Sequence, residues 1–230
     1  MSKSEIRVWK ARLDLEPRRI SKLSQLLSEE ERRKAGRFYF ARDSRRFTAA
    51  RAALRLILGQ YLERAPACVE FAYGASGKPF LRDTTLRFNV SHSADIVLVA
   101  VADGCEVGVD VERMRPQPEI HRIAELVFPA REFAELQSAP VEAQNDVFFR
   151  LWTRNEARLK ASSLAFGSVR QETHDDWSVC PIVPEEGYIG AVAVQGGGFD
   201  LRLREFLFED IKAPQPGISA PPPLVVSTAV

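Results

Sequence analysis

The chain has 230 residues, and its composition and charge exclude several classes of protein. Hydrophobic residues make up 45% and charged residues 27%, which is typical of a globular protein with one large domain or two small ones. A net charge of +1 argues against bulk affinity for nucleic acid or for a membrane surface. No apolar run reaches about 18 residues and the N-terminus lacks an apolar signal core, so the sequence predicts a cytoplasmic protein.

Secondary structure is predicted from hydrophobic periodicity and from capping and turn residues. Ser28 followed by Glu31 is a capping box that opens a helix, and Asp103-Gly104 marks a turn. The predicted elements, in chain order, are a strand at 6–13, helices at 28–37 and 43–62, strands at 86–91, 96–102 and 107–112, helices at 118–136 and 145–162, a strand at 187–194, a glycine-rich turn at 196–198 and a strand beginning at 199.

The order of these elements, helix then strands twice over, predicts two α+β lobes of similar size. We place the first lobe at residues 1–103 and the second at 104–211. Residues 212–230 are rich in proline and have no apolar period, so we predict a flexible tail there.

The first half concentrates basic residues, and one of them is placed unusually. Arg51 falls on the margin of the apolar stripe of the helix at 43–62. A guanidinium drawn toward a core needs an anionic partner to offset its desolvation. That partner is either a bound phosphate or a carboxylate of the protein itself.

Two segments with acidic residues and the polar end of a strand contain candidate catalytic or ligand-binding residues. Asp110 and Glu112 are two apart on a strand and project from one face. Glu156 and Lys160 are four apart and share one flank of a helix. Each pattern alone is more typical of a solvated surface, but both occur downstream of the polar run at 89–93, which is Asn-Val-Ser-His-Ser.

At these positions the chain resembles a known family. SGKPFL at 76–81, FNVSHS at 88–93, GVDVE at 108–112 and WTRNEARLKA at 152–161 resemble the ordered motifs of the 4′-phosphopantetheinyl transferases. The resemblance spans residues 6–208 and is to the long, two-lobed, surfactin-synthetase-activating type. It implies two pseudo-twofold-related lobes, each a small, mostly antiparallel sheet packed with helices, with the ligand site at their junction.

The resemblance also implies a reaction. A serine hydroxyl of an apo acyl or peptidyl carrier protein attacks the β-phosphorus of coenzyme A, and 3′,5′-ADP leaves. Mg²⁺ is held by Asp110, Glu112 and Glu156, and Asp110 is counted with the catalytic residues Glu156 and Lys160. Lys160 stabilises charge on the phosphates, while the base is either Glu156 or a water on the metal.

The same resemblance assigns the contacts to the two substrates. The residues implied for the coenzyme A phosphates are Arg46, Arg51, Lys78, Ser91 and His92, with His92 at the 3′-phosphate. The segment 118–136 is either ordinary core or one side of a groove for a carrier-protein helix. We expect a monomer that binds neither nucleic acid nor membrane.

One departure from the family pattern keeps a second reading open. The family's helix motif has a lysine immediately before the glutamate, and here that residue is Asn155. A neutral amide cannot supply positive charge to a phosphate. SSLAFG at 162–167 is also less glycine-rich than the family loop. The alternative is therefore a catalytically weakened homologue that binds coenzyme A or a nucleotide.

Overall fold

The computed structural model describes residues 4–74, 77–162 and 177–208, and its architecture is α+β as predicted. The strands are β1 (Ser4–Arg12), β2 (Ala72–Tyr73), β3 (Pro79–Phe80), β4 (Leu86–Ser93), β5 (Ile96–Asp103), β6 (Val107–Arg113), β7 (Trp177–Ile182), β8 (Tyr188–Gln195) and β9 (Phe199–Glu205). The helices are α1 (Pro17–Ser24), α2 (Glu29–Ala35), α3 (Ala41–Leu62), α4 (Ile120–Val127), α5 (Ala130–Ser138) and α6 (Gln144–Ser162).

The first sheet has the strand order β4-β5-β1-β9 and packs one face against α3. The apolar stripe of α3 buries Leu54, Ile57 and Leu58 completely against alternate residues of β5, among them Val97 and Val99. The other face of this sheet packs on the second sheet, so the first sheet is covered on both sides.

The second sheet has the order β6-β8-β7 and is antiparallel throughout. The valines of β6 and β8 face the first sheet, whereas Ala191 and Ala193 of β8 face α6 together with Ala157 and Ala161 of that helix. Because the side chains between sheet and helix are this small, α6 lies close to the strands. The layers therefore run from α3 through the two sheets to α6.

Local sequence signals explain two of the boundaries. The Ser28 side chain accepts a hydrogen bond from the Glu31 backbone (3.2 Å) and the Glu31 carboxylate accepts one from Ser28 N (2.8 Å), so the predicted capping box is confirmed. Between β5 and β6 the chain turns at Gly104, whose φ of 69° lies in the left-handed region that glycine tolerates best.

The prediction of one helix at 118–136 is wrong, because the structure has α4 and α5 there. Proline lacks a backbone N–H and disfavours helical geometry in the residue before it. Phe128 accordingly adopts an extended conformation and Pro129 precedes the first residue of α5. The sequence prediction also omitted α1 and β7.

The first sheet receives its last strand from the far end of the chain. β9 pairs with β1 in parallel, with Ser4 opposite Phe199 and Lys10 opposite Glu205. The sequence assigned this segment to the second lobe, and in the structure its strand forms one edge of the first sheet. The lobe boundaries and their pseudo-twofold relation stay predictions, and the proposed tail at 212–230 lies outside the described residues.

None of the helices in the described part of the chain is long and apolar enough to cross a membrane.

Candidate active site

The candidate site lies where β4, an edge strand of the first sheet, meets β6, an edge strand of the second sheet. β4 ends one side of the first sheet and β6 ends one side of the second. Side chains of β4, rather than hydrogen bonds between the two backbones, join β4 to β6. Val109 N donates to Asn89 Oδ1 (3.0 Å), and Arg113 N donates to Ser93 Oγ (3.1 Å). The polar run at 89–93 therefore connects the two sheets.

Asp110 lies at the centre of this junction and is only 3% exposed. Its Oδ1 accepts hydrogen bonds from Ser91 Oγ (2.8 Å) and from Lys160 Nζ (2.5 Å), and Lys160 also donates to Ser91 Oγ (3.0 Å). Burial raises the pKa of Asp110, although Lys160 and Ser91 act in the opposite direction. Three predicted site residues are thus brought into direct contact.

Glu112 and Glu156 extend the acidic group on either side of Asp110. Ser93 Oγ donates to Glu112 Oε2 (2.7 Å). Burial raises the pKa of both glutamates; the negative charge of Asp110 also acts on each, and that of Glu112 on Glu156. Mutual repulsion of this kind requires that the carboxylates be neighbours.

Two carboxylate oxygens in this group have no hydrogen-bond partner. Asp110 Oδ2 and Glu156 Oε1 are buried and unpaired in the described part of the structure. A buried polar atom without a partner costs about 1–3 kcal/mol. Such atoms are retained where a ligand, ion or reacting group completes them.

A glycine brings α6 to this position. A side chain at Gly108 would collide with the carbonyl oxygen of Ala157 and the backbone nitrogen of Ala161. Only glycine allows the helix to lie this close to β6. Glu156 and Lys160 therefore reach Asp110 across a very short gap.

The predicted metal ligands do not form a complete site by themselves. Within residues 4–74, 77–162 and 177–208, no group of three His, Cys, Asp or Glu side chains is arranged to hold a metal ion. Lys160 is the cation bound to Asp110 in this arrangement. Joint metal ligation by Asp110, Glu112 and Glu156 stays a prediction.

Of the residues predicted to contact phosphates, Ser91 bonds directly to the acidic group, and the lysine and the two arginines have partners of their own. Lys78 Nζ reaches Ala161 O at the end of α6 (3.4 Å) and Glu106 Oε2 (3.5 Å). Arg46 binds Asp95, with Nε 2.9 Å from Oδ1. The His92 side chain is exposed to solvent, although many protein atoms lie around it. This crowding lowers the pKa of His92, and the charges of Lys160 and Arg46 lower it further.

Arg51 has the carboxylate partner that the sequence left as one of two alternatives. Arg51 Nε donates to Glu31 Oε1 (2.7 Å), and the guanidinium stacks over Phe71 at 4.7 Å. Arg55 Nε donates to the other oxygen, Glu31 Oε2 (2.7 Å). A phosphate contact from Arg51 stays a prediction, and it would be made in the presence of Glu31.

Asn155 points away from the acidic group and toward α5. It is 6% exposed, and its Nδ2 donates to Glu132 Oε2 (2.5 Å). Arg154 Nη2 donates to Glu132 Oε1 (2.8 Å).

Sequence reasoning missed three residues that matter to the site: Ser93, Glu106 and Glu132. For Ser93 a signal existed, because it lies two residues after Ser91 on the same strand and therefore faces the same way. Glu106 and Glu132 carried no local signal, since their partners are distant in the chain.

Buried acids, a lysine and hydroxyl groups at one junction, with further cations at its rim, define a class: enzymes that handle phosphate-bearing substrates. Comparison with known proteins specifies that class. Residues 106–209 match the model of the 4′-phosphopantetheinyl transferase superfamily, and residues 14–104 match that of the 4′-phosphopantetheinyl transferase N-terminal region.

Individual relatives agree. The 4′-phosphopantetheinyl transferase HetI of Nostoc sp. is 37% identical over 212 residues, which are 85% of this chain and 90% of the relative. The 4′-phosphopantetheinyl transferase ffp of Bacillus subtilis is 32% identical over 169 residues, 71% of this chain and 74% of the relative. The chain belongs to the 4′-phosphopantetheinyl transferase superfamily, and its activity is transfer of the phosphopantetheine group.

Proposed function

We propose that this enzyme transfers 4′-phosphopantetheine from coenzyme A to a serine of an apo acyl or peptidyl carrier protein, with Mg²⁺ as cofactor. The serine oxygen forms a bond to the β-phosphorus, and the bond from that phosphorus to the bridging oxygen breaks. The serine proton passes to a base, and 3′,5′-ADP leaves with the bridging oxygen. Such a reaction depends on positioning and charge neutralisation more than on covalent participation of the protein.

The observation that carries this proposal is the pair of unpaired oxygens, Asp110 Oδ2 and Glu156 Oε1. Buried carboxylates that repel one another fit a hard divalent cation, and carboxylate oxygen is the ligand type that Mg²⁺ prefers. Asp110, Glu112 and Glu156 would hold it. Bound there, Mg²⁺ would neutralise charge on the diphosphate.

Lys160 is the group of this chain best placed to bind the diphosphate. It already contacts Ser91 and Asp110, so its ammonium lies beside the unpaired oxygen of Asp110. A lysine here stabilises charge that develops on the phosphates as the leaving group departs. Ser91 adds a hydroxyl that can donate to the same phosphates.

Of the two bases that the sequence left open, Glu156 and a water on the metal, we propose Glu156. Glu156 would hold the metal through one carboxylate oxygen, which leaves its other oxygen to take the serine proton. Burial raises the pKa of Glu156, which brings it nearer to the range useful for proton transfer.

The nucleotide end of coenzyme A would bind along the rim. His92 and Arg46 stand near the β4–β5 turn, one exposed and the other paired with Asp95. We assign His92 to the 3′-phosphate and Lys78 to the diphosphate, with Arg46 and Arg51 as further phosphate contacts. These assignments rest on the family resemblance, and for Lys78 also on its contact with the end of α6.

The carrier protein would approach over α4 and α5. Of the helix residues predicted as core or groove, Ile120 and Ala124 are buried, which agrees with the core alternative for that stripe. Leu126 on the same helix is 64% exposed and remains available to a partner. We propose that the carrier protein binds the groove between this segment and the junction of the lobes, with Leu126 as one contact.

The decisive experiment is mass spectrometry of an apo carrier protein incubated with the enzyme, coenzyme A and Mg²⁺. We expect a gain of one phosphopantetheine, lost when the metal is chelated. Coenzyme A binding measured by calorimetry without any mass gain, across several unrelated carriers, would replace this proposal by the weakened binder that Asn155 suggests.

A further inference from the structure

Glu132 is a buried carboxylate whose two oxygens are both bound by α6. It lies on α5 and is 7% exposed. Oε1 accepts from Arg154 Nη2 at 2.8 Å, and Oε2 accepts from Asn155 Nδ2 at 2.5 Å. Arg158 Nη1 lies 3.9 Å from Oε1. In the described part of the chain, Glu132 and Asn155 bond to each other and not to Asp110, Glu112 or Glu156, so their contact is separate from the acidic group around Asp110.

Arg154 supplies the nearer of the two positive charges at this contact, and Arg158 supplies the farther one. A buried carboxylate with only a neutral amide beside it would remain an uncompensated charge, which is strongly destabilising. Asn155 contributes a hydrogen bond but no charge. Arg154 is closer to Glu132 than Arg158 is, and its side chain is 32% exposed compared with 43%.

The position of Asn155 on α6 gives this contact a mechanical consequence. Consecutive residues of a helix are about 100° apart, so Asn155 faces α5 while Glu156 and Lys160 face β6. The other contacts between α5 and α6 include apolar side chains such as Leu136 and Phe149, which are not directional, an exposed pair between Arg150 and Glu135, and a 4.0 Å approach of Arg154 to Glu135. Glu132 is thus the buried directional restraint between these two helices.

From this geometry we infer that Glu132, Asn155 and Arg154 form a positioning unit, which sets the rotation of α6 and so aims Glu156 and Lys160 at the reaction centre. A side chain ends about 5–6 Å from the helix axis, so a rotation of about 20° would displace the Glu156 carboxylate by about 2 Å. Displacements of about 1 Å can lower a rate about 100-fold. The inference rests on the proposed function.

The test moves the positive charge by one residue. Arg154→Met removes the nearer of the two guanidinium charges beside Glu132, while Arg158 stays 3.9 Å away, and Arg154→Met/Asn155→Lys returns the lost charge from the neighbouring position. We expect Arg154→Met to lower kcat at least about 10-fold with the KM for coenzyme A changed less than about threefold, because the predicted coenzyme A contacts lie elsewhere. The double variant should recover kcat to within about threefold of the wild type.

Thermal unfolding of the same variants gives a second measurement, which requires no substrate. The unfolding midpoint should fall by about 5 °C in Arg154→Met and should largely recover in the double variant. Arg150→Met is the matched control, since it removes an arginine of the same helix that pairs with Glu135 at the surface. Exposed pairs contribute little, so neither kcat nor the midpoint should change appreciably.

The possible failures are distinguishable. If Arg154→Met lowers the midpoint but leaves kcat unchanged below the unfolding temperature, the unit only stabilises the fold and the positioning inference is overturned. If the double variant recovers neither quantity, Arg154 does not act through its charge, which also overturns it. A wild-type enzyme that transfers nothing to any carrier would instead overturn the proposed function, and the inference with it.

Discussion

Two buried acidic groups of this protein are built in opposite ways. Glu31 is surrounded by Arg51 and Arg55, and each of its oxygens accepts from a guanidinium. Burial alone would raise the pKa of Glu31, but the hydrogen bond from Arg55 and the charge of Arg51 outweigh it and lower the pKa. Around Asp110 the carboxylates outnumber the cations, because three carboxylates share Lys160. The pKa of each of the three is raised.

This difference indicates that the Glu31 group serves the stability of the fold and the Asp110 group serves its function. The Glu31 group is satisfied within the fold, as expected of a cluster that holds α2 against α3. The Asp110 group leaves two buried oxygens unpaired, which a protein selected only for stability would avoid. Substitutions in the two groups should therefore have opposite consequences.

The largest expected effect is on catalysis. Asp110→Asn keeps the size of the side chain and removes its charge, so we expect transfer to the carrier to fall at least about 1000-fold, or roughly 4 kcal/mol of transition-state stabilisation. The free energy of unfolding without metal should stay the same or increase, because burial already disfavours the charged form. Single-turnover kinetics and chemical denaturation measure the two quantities.

Asp200→Asn is the control for this prediction, because Asp200 is an exposed carboxylate of β9. It should change neither quantity. A stable Asp110→Asn protein that retains most of its activity would contradict the functional reading of the acidic group.

The next effect is on stability. Glu31→Gln leaves two guanidiniums without their carboxylate, and we expect the free energy of unfolding at pH 7 to fall by about 3 kcal/mol. Because the folded pKa of Glu31 is lowered, its contribution is present above pH 4.5, the ordinary value, and is lost as pH falls through the folded pKa.

Denaturation at several pH values checks the sign. The difference between wild type and Glu31→Gln should be constant from pH 7 to about 5 and should shrink at lower pH. A difference that grows on acidification would mean that Glu31 is not held ionised by the arginines.

The smallest of these effects concerns the approach of α6 to β6. Gly108→Ala should destabilise the protein by about 2 kcal/mol because the new methyl group meets the backbone of α6. It should also lower kcat, since Glu156 and Lys160 move away from Asp110. Gly197→Ala is the control, because a side chain there meets nothing within 4 Å. Equal unfolding midpoints for the two variants would refute the close approach.

Local patterns were enough to predict much of the fold. The stripe of α3 and the alternation of β6 follow from periodicity, and both are confirmed by complete burial of Leu54 and of Val109. The break at Pro129 was readable from the chain but was overridden by the apolar period on both sides of it. The pairing of β9 with β1 was not readable, because it joins residues almost 200 positions apart.

Some residues of the candidate site could likewise be predicted from the sequence, and others could not. Motif spacing led to Asp110, Ser91 and Lys160, which the structure brings within hydrogen-bond distance of one another. The choice of partner for Arg51 could not be made from the chain, since Glu31 reaches it only after α2 packs on α3. Glu132 stayed hidden for the same reason.

The parallel pairing of β9 with β1 also affects how the protein can be made. Phe206 and Phe208, directly after β9, are buried in the core beneath α3. On the ribosome, a nascent chain of about one hundred residues would expose an open sheet edge and an unfilled core. The amino-terminal half should therefore require its carboxyl-terminal residues to fold, and expressing either half alone should yield aggregate.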